Sequence, residues 1–215
     1  MGDEEEISFK ILVLGNENVG KTSLIIRFCD NRFEPSLLST TGIDIKTKCI
    51  KRGDKKFNLK IFDTAGQERF HSISKNYFKS SDGILLLYDI SNEETFKSIK
   101  KWIDDIQEAL DLADIGFIIV GNKSDLPEEE RQVTGFMKED LEKSLNVKIL
   151  ETSTKDNKNI EECFMMLVDK IYEIRYRVKL SGNEDEKFYK KDTLVLDKNS
   201  KKKRKHRIKN CCKEK

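Results

Sequence analysis

KILVLGNENVGKT, residues 10–22, decides how the rest of the chain is read. Ile11, Leu12, Val13 and Leu14, opened by Phe9, read as a buried strand. Gly15-Asn16-Glu17-Asn18-Val19-Gly20-Lys21-Thr22 then fits G-x-x-x-x-G-K-[ST], and Ser23 leads into a helical run over 22–29. Strand, glycine loop and helix form the context that turns such a pattern into a phosphate site. The backbone N–H groups of the loop (Gly15, Asn18, Val19, Gly20) and the helix N-terminus face an anion that needs several donors at once. Lys21 is expected to reach β- and γ-phosphates, and the Thr22 hydroxyl to ligate Mg²⁺. The bland alternative is a βα turn that happens to be punctuated by glycine, and the Lys21-Thr22 pair argues against it.

A length of 215 residues allows one α/β domain and a tail. The formal net charge of +2 hides an uneven distribution: residues 198–215 carry ten Lys/Arg against Glu214, a net +9, so the remainder is near −7. Five cysteines are scattered as Cys29, Cys49, Cys163, Cys211 and Cys212, which is no disulfide framework and fits a reducing compartment. The acidic start MGDEEE has no apolar run, so no signal peptide is expected. Glu6 stands where the myristoylation pattern wants Ser or Thr. No apolar run approaches the roughly 20 residues of a membrane-spanning helix. Any membrane role must then come from the tail.

Strands are expected over 43–50 and 57–62, joined at the turn signal Gly53-Asp54 into a hairpin. The continuous apolar runs 83–89 and 115–120 are the kind buried on both sheet faces. Ser91-Asn92-Glu93-Glu94 reads as a capping box, opening a helix whose stripe is Phe96, Ile99, Ile103, Ile106 and Leu110. Trp102 flanks that stripe and reads as packing. A helix near 137–145, a strand over 147–150 and a last helix over 160–178 complete the unit. Strands alternating with helices predict an α/β fold: a doubly wound, mostly parallel six-stranded sheet with helices on both faces and one antiparallel hairpin edge. Ligands of such sheets sit beyond the C-terminal strand ends, where every motif here falls.

Three further constellations point to a guanine nucleotide. Asp63 follows a strand and is placed to hold Mg²⁺ through water; the Gly66 N–H faces a γ-phosphate oxygen, and Gln67 orients an attacking water. Asn122-Lys123-Ser124-Asp125 ends another strand. A carboxylate at Asp125 accepts from guanine N1–H and the exocyclic amine, and adenine would leave it unpaired, the kind of mismatch that discriminates strongly. Thr152-Ser153-Thr154-Lys155 ends a third strand, offering a backbone N–H to guanine O6 and the Lys155 chain over the ring.

The glycine loop, DTAGQERF (63–70), NKSD (122–125) and TSTK (152–155) resemble a small GTPase of the Ras superfamily over residues 7–178. DTAGQERF, Tyr77-Phe78 before Leu85-Leu86-Leu87-Tyr88-Asp89, and the terminal cysteine pair resemble the Rab branch. The resemblance implies the P-loop GTPase fold, an intrinsically slow hydrolysis of GTP to GDP, Phe33 beside the guanine, and Thr40 as a Mg²⁺ ligand that senses γ-phosphate. Switch segments would span 30–41 and 65–80. Catalysis would rest on Gln67, Lys21 and Thr40; the metal ligands would be Thr22, Thr40 and Asp63. Departures from the family pattern are Glu17 in the loop, Thr41 after the sensing threonine, Ile45 and Phe62 in the aromatic triad completed by Tyr77, and Thr154 against the base. Glu17 is the feature favouring an alternative, a GTP-bound recruitment module that hydrolyses weakly.

Residues 1–6 read as an acidic extension, 7–178 as the GTPase domain, and 179–215 as a disordered basic C-terminal tail. Eight of the residues 198–209 are Lys or Arg, a pattern shared by nucleic-acid tails and anionic-membrane anchors. Cys211-Cys212 behind that run resemble the double prenylation site of Rab proteins, and Leu194-Val195-Leu196 the aliphatic grip of an escort protein. Cys212-Lys213-Glu214-Lys215 makes a poor C-a-a-X box. The partners then expected are an exchange factor, an activating protein, effectors, an escort protein and a dissociation inhibitor, with no nucleic acid. The place is the cytoplasmic face of an intracellular membrane, with cycling through the cytosol.

Overall fold

In the computed structural model, residues 6–35, 40, 42–64 and 77–176 are described. Gly66, Gln67, Thr41, Cys211 and Cys212 lie outside them, as do the expectations for both full switch segments and the tail. The chain divides into two units, Met1–Ile174 and Arg175–Lys215, and the fold is that of the first.

Six strands run β1 Glu6–Gly15, β2 Ile43–Arg52, β3 Lys55–Thr64, β4 Gly83–Asp89, β5 Gly116–Asn122 and β6 Ile149–Glu151. Among the described residues the α-helices are α1 Lys21–Asp30, α2 Glu93–Gln107, α3 Gly135–Leu145 and α4 Ile160–Tyr176. The sheet order is β2-β3-β1-β4-β5-β6. Among these described strands, β2 and β3 pair antiparallel through the Gly53-Asp54 turn and the other pairings are parallel. The expected fold class is therefore the observed one. Crossovers between parallel strands place every loop that follows a parallel strand at one rim, and that rim is where the site forms.

Alternation along β1 sets the two cores, because successive side chains point to opposite faces. Phe9 faces Phe57, and Phe57 in turn meets Tyr172 of α4. On this side the Phe28 ring of α1 stacks on Phe164 of α4 with centroids 3.8 Å apart. Leu12 and Leu14 face the opposite layer, joining Leu86, Ile119 and the α2 stripe of Ile99, Ile103 and Ile106. β4 and β5 are buried at every position, as their unbroken apolar runs require.

Element ends moved where local partners decide them. The cap of α2 is Asn92, whose side chain accepts from Glu94 N–H; Ser91 is instead turned back, its N–H and hydroxyl both donating to Asp89 Oδ1. Leu110 follows the helix and is only half-buried. α3 starts at Gly135, two residues before its apolar run, because the Thr134 side chain accepts from Met137 N–H. β6 covers 149–151 rather than 147–150, since only Ile149 to Glu151 pair with β5. Among the described residues no helix is long and apolar enough to cross a membrane.

Candidate functional site

The C-terminal ends of β1, β3, β5 and β6 border one cavity of about 360 Å³. Its wall at the β1 end is the loop 15–20, which can turn so tightly because Gly15, Asn18 and Gly20 all have positive φ (136°, 61° and 94°). Gly20 also allows a close approach: a Cβ there would stand 2.4 Å from Asn122 Nδ2. Lys21 begins α1 yet is buried, and its ammonium curls back to donate to the carbonyls of Gly15 (2.9 Å) and Asn16 (2.8 Å). Burial lowers its pKa to about 8, against the opposing pull of Asp63 and Glu17. A buried cation bound to neutral carbonyls beside an open cavity is a ready receiver for an anion.

Next to it lies an oxygen cluster. Thr22 Oγ1 donates to Asp63 Oδ2 at 2.7 Å and lies 2.7 Å from Thr40 Oγ1. Asp63 Oδ1 is buried without a hydrogen-bond partner. Desolvation pushes the Asp63 carboxyl above its usual range, opposed by the Thr22 hydrogen bond and the Lys21 charge. Two hydroxyls and one under-satisfied carboxylate are hard donors. They fit Mg²⁺, which takes one or two carboxylates and fills its remaining positions with water and phosphate oxygens.

The opposite end is built from β5 and β6. Asn122 is fully buried and holds two elements together: its Nδ2 donates to Val19 O (2.9 Å) and its Oδ1 accepts from Thr152 Oγ1 (3.2 Å). Its amide nitrogen is thus engaged with the glycine loop, a bracing role that the sequence reading did not assign. Asp125 Oδ1 accepts from Ser153 Oγ at 2.6 Å, and Lys155 Nζ lies 3.8 Å from its other oxygen. Lys123, held at positive φ, ion-pairs with Asp89 at 2.6 Å while also lining the cavity. Phe33, Thr154 and Lys155 complete this end.

Lys21, Thr22, Ser23, Asn18, Gly20, Phe33, Thr40, Asn122, Lys123, Asp125, Thr154 and Lys155 all line the one cavity. Gly15, Val19, Asp63 and Ser153 stand behind that lining as supports. Three participants, Arg27, Trp102 and Ser98, were given no place in the site by the sequence reading. Arg27 of α1 donates from Nε to Thr154 O (2.8 Å) and from its two terminal nitrogens to Lys155 O (3.0 Å) and Asn31 O (3.2 Å). Its guanidinium carbon also lies 5.7 Å from the Phe33 ring centre. Trp102, read as packing, is buried and donates its indole N–H to Asn16 Oδ1 (2.9 Å), while Asn16 Nδ2 donates to Ser98 Oγ (3.1 Å). Both pairings span more than 80 residues, so no local pattern announces them.

A doubly wound sheet carrying a glycine loop, a buried lysine and a hydroxyl–carboxylate cluster at one rim defines a P-loop nucleotide-binding protein. A model of the Ras family matches residues 10–173. Human Ras-related protein Rab-3A is 44% identical over 166 residues, covering 77% of this chain and 74% of that protein. Human Ras-related protein Rab-8B is 44% identical over 159 residues (74% and 76%), and bovine Ras-related protein Rab-21 is 38% identical over 193 residues (88% and 86%). The chain belongs to the Ras family and is a Rab-like small GTPase.

Proposed function

We propose that this chain is a guanine-nucleotide switch that hydrolyses GTP to GDP and recruits effectors to an intracellular membrane while GTP is bound, serving vesicle traffic. The observation that carries the reading is the pairing of opposite chemistries across one cavity. Lys21 and the Thr22–Asp63–Thr40 oxygens occupy the phosphate end, and the Asp125 carboxylate held by Ser153 occupies the base end.

In this reading Lys21 exchanges two loop carbonyls for phosphate oxygens, and the loop N–H groups orient the phosphate chain. Thr22, Thr40 and Asp63 hold Mg²⁺, which supplies charge neutralisation across the phosphates when bound. Asp125 selects guanine, the Lys155 stem and Phe33 sandwich the ring, and Thr154 offers its N–H. Gln67 orients the attacking water and Gly66 meets the γ-phosphate, both on the strength of the family resemblance. Turnover of this kind is slow, on the order of 10⁻⁴ s⁻¹, and an activating protein adds 10³–10⁵. Exchange factor, effectors, escort protein and dissociation inhibitor are the partners. Prenyl groups at Cys211 and Cys212, with the basic tail, form the anchor; one lipid chain alone binds only marginally.

The deciding experiment is to denature the purified protein, identify the released nucleotide by chromatography, and measure phosphate release from GTP and ATP with Mg²⁺ or a chelator. Retained guanine nucleotide and Mg²⁺-dependent turnover of GTP alone support the reading. Retained adenine nucleotide, or equal use of ATP, overturns it.

A further inference from the structure

Helix α2 reaches the phosphate-side loop through one residue, Asn16, and grips its amide at both polar atoms. Trp102 Nε1 donates to Asn16 Oδ1 at 2.9 Å, and Asn16 Nδ2 donates to Ser98 Oγ at 3.1 Å. Ser98 and Trp102 are four residues apart, so they stand on one face of the helix and form the two tines of a fork. The tines are chemically unlike. An indole N–H only donates, so it takes the amide oxygen. Ser98 uses its own proton on Glu94 O (2.8 Å), which leaves its oxygen to receive the amide nitrogen. The fork therefore accepts Asn16 in one orientation.

The base of the fork is firmly packed: Ile99, Trp102, Ile103 and Ile106 share one buried cluster with Leu12 and Leu14 of β1, the strand that runs into the loop. The loop itself, over 16–20, belongs to no strand or helix. Asn16 is also the residue whose carbonyl accepts from the Lys21 ammonium at 2.8 Å, beside Gly15 O at 2.9 Å. One residue is thus held from the helix through its side chain and from the buried cation through its backbone. When phosphate oxygens take the ammonium, the carbonyl bond is given up and the fork still holds residue 16. A buried tryptophan generally finds a partner for its N–H. That need alone explains neither the second tine at Ser98 nor the choice of a residue that also receives Lys21.

We infer that Trp102 is a positioning residue for phosphate binding: acting through Asn16, together with Ser98, it holds the loop 15–20 in the shape that receives the phosphates, and its indole is the chain's own optical reporter of them. The inference rests on the reading of this cavity as a nucleotide site. Trp102 is 5% exposed and is the single tryptophan of the sequence, so tryptophan emission reports the surroundings of this one indole. Guanosine fills the base end, carries no phosphate and leaves Lys21 on Asn16 O. GDP draws the ammonium away. Emission should therefore respond to GDP and not to guanosine.

The test uses the full-length protein, stripped of nucleotide with a chelator and returned to Mg²⁺. Titration calorimetry gives the ratio of GDP to guanosine affinity for wild type, Trp102→Phe, Asn16→Ala and the double variant. Trp102→Phe keeps an aromatic ring and loses the indole N–H. One hydrogen bond of this kind corresponds to about fivefold to tenfold in affinity. Trp102→Phe should lower the GDP-to-guanosine ratio by that factor and leave guanosine affinity as it is. In the Asn16→Ala background it should change the ratio no further, because the contact it serves is already gone. A tryptophan that only packs costs the same in both backgrounds, and that result overturns the inference. So does an unchanged ratio in Trp102→Phe, or wild-type emission that shifts equally with guanosine and GDP. Ser98→Ala leaves the tryptophan in place and serves if Trp102→Phe does not fold: it should lower the same ratio, and no change there also overturns the inference. If wild type binds GDP no more tightly than guanosine, the nucleotide reading of the cavity falls and takes the inference with it.

Discussion

Removing the Arg27 guanidinium should speed nucleotide release without touching the chemistry of hydrolysis. The side chain links the end of α1 to two successive carbonyls of the base-side loop, Thr154 and Lys155, and leans over Phe33 on the cavity wall. A charged donor to a part-buried carbonyl contributes about 1.5 kcal/mol, and the two more exposed bonds about 0.5 kcal/mol each at most. If about 2 kcal/mol of this is felt only while the loop is ordered around the base, release should accelerate roughly 30-fold, since 1.4 kcal/mol is tenfold. Arg27→Met keeps the stem and its packing; Arg27→Lys keeps the charge but lacks the planar fork that reaches two carbonyls together. Release of a fluorescent GDP analogue into excess unlabelled GDP measures the effect, with single-turnover GTP hydrolysis as the control. The expected order of release rates is wild type, then Lys, then Met, with hydrolysis unchanged. Wild-type release from Arg27→Met would refute the reasoning, as would a parallel loss of hydrolysis, which would point to general unfolding.

Asp125→Asn should move preference from guanine towards xanthine, because an amide N–H then faces the carbonyl at C2; competition binding that leaves GTP favoured by the same margin removes Asp125 from the base. Among Cys29, Cys49 and Cys163, a thiol-alkylating reagent should label exposed Cys49 first and Cys163 only on unfolding, because Cys163 is fully buried and desolvation raises its thiol far above the usual range; peptide mapping that finds Cys163 modified in the native protein contradicts the packing of α4. Glu17→Gly should raise the single-turnover hydrolysis rate by less than about tenfold, since Glu17 is exposed and its carboxylate is partly screened. A rate identical to wild type makes Glu17 a tolerated surface residue and removes the reason for considering a weakly hydrolysing module.

Much of the fold was legible because long apolar runs and glycine punctuation are local signals. β4 and β5 had to be buried on both faces, and the hairpin had its Gly53-Asp54 turn. Boundaries slipped where one hydrogen bond chose between neighbours: Asp89 holds Ser91, so Asn92 caps α2. The short β6 starts later than its sequence suggests because Val147 and Lys148 have strand-like alternation but no partner on β5. In the site, most residues that face the cavity belong to contiguous motifs and can be named, whereas Phe33 and Thr40 stand outside them and follow only from the family resemblance. Those that hold the motifs in place cannot be named this way. Arg27 finds Thr154 and Lys155 from 127 and 128 residues away, and Trp102 finds Asn16 from 86. Asn122 shows the mixed case, a motif residue whose amide turns out to face Val19 rather than open space.

Those braces explain how walls made of loops can form a defined cavity at all. Loops at strand ends have no ladder to fix them, and ordering each residue costs about 1–2 kcal/mol of backbone entropy. The phosphate-side loop is tied at two points, by Asn122 through Val19 and by Trp102 through Asn16. The base-side loop is tied by Arg27 and by Thr152, which donates to the same Asn122. Asn122 therefore bonds both loops at once, and α1 begins in one loop and reaches the other through Arg27. Loosening the base side should disturb the phosphate side through Asn122, whereas Arg27 acts from the far end of α1. On this geometry, Arg27→Met and Asn122→Ala should differ in kind: the first should change mainly nucleotide release, and the second should also weaken phosphate-dependent affinity. Isothermal titration with GDP and guanosine separates them, because only the second variant should lose more affinity for GDP than for the nucleoside. If both variants lose equal ratios, the two loops move as one rigid body and the two braces are redundant.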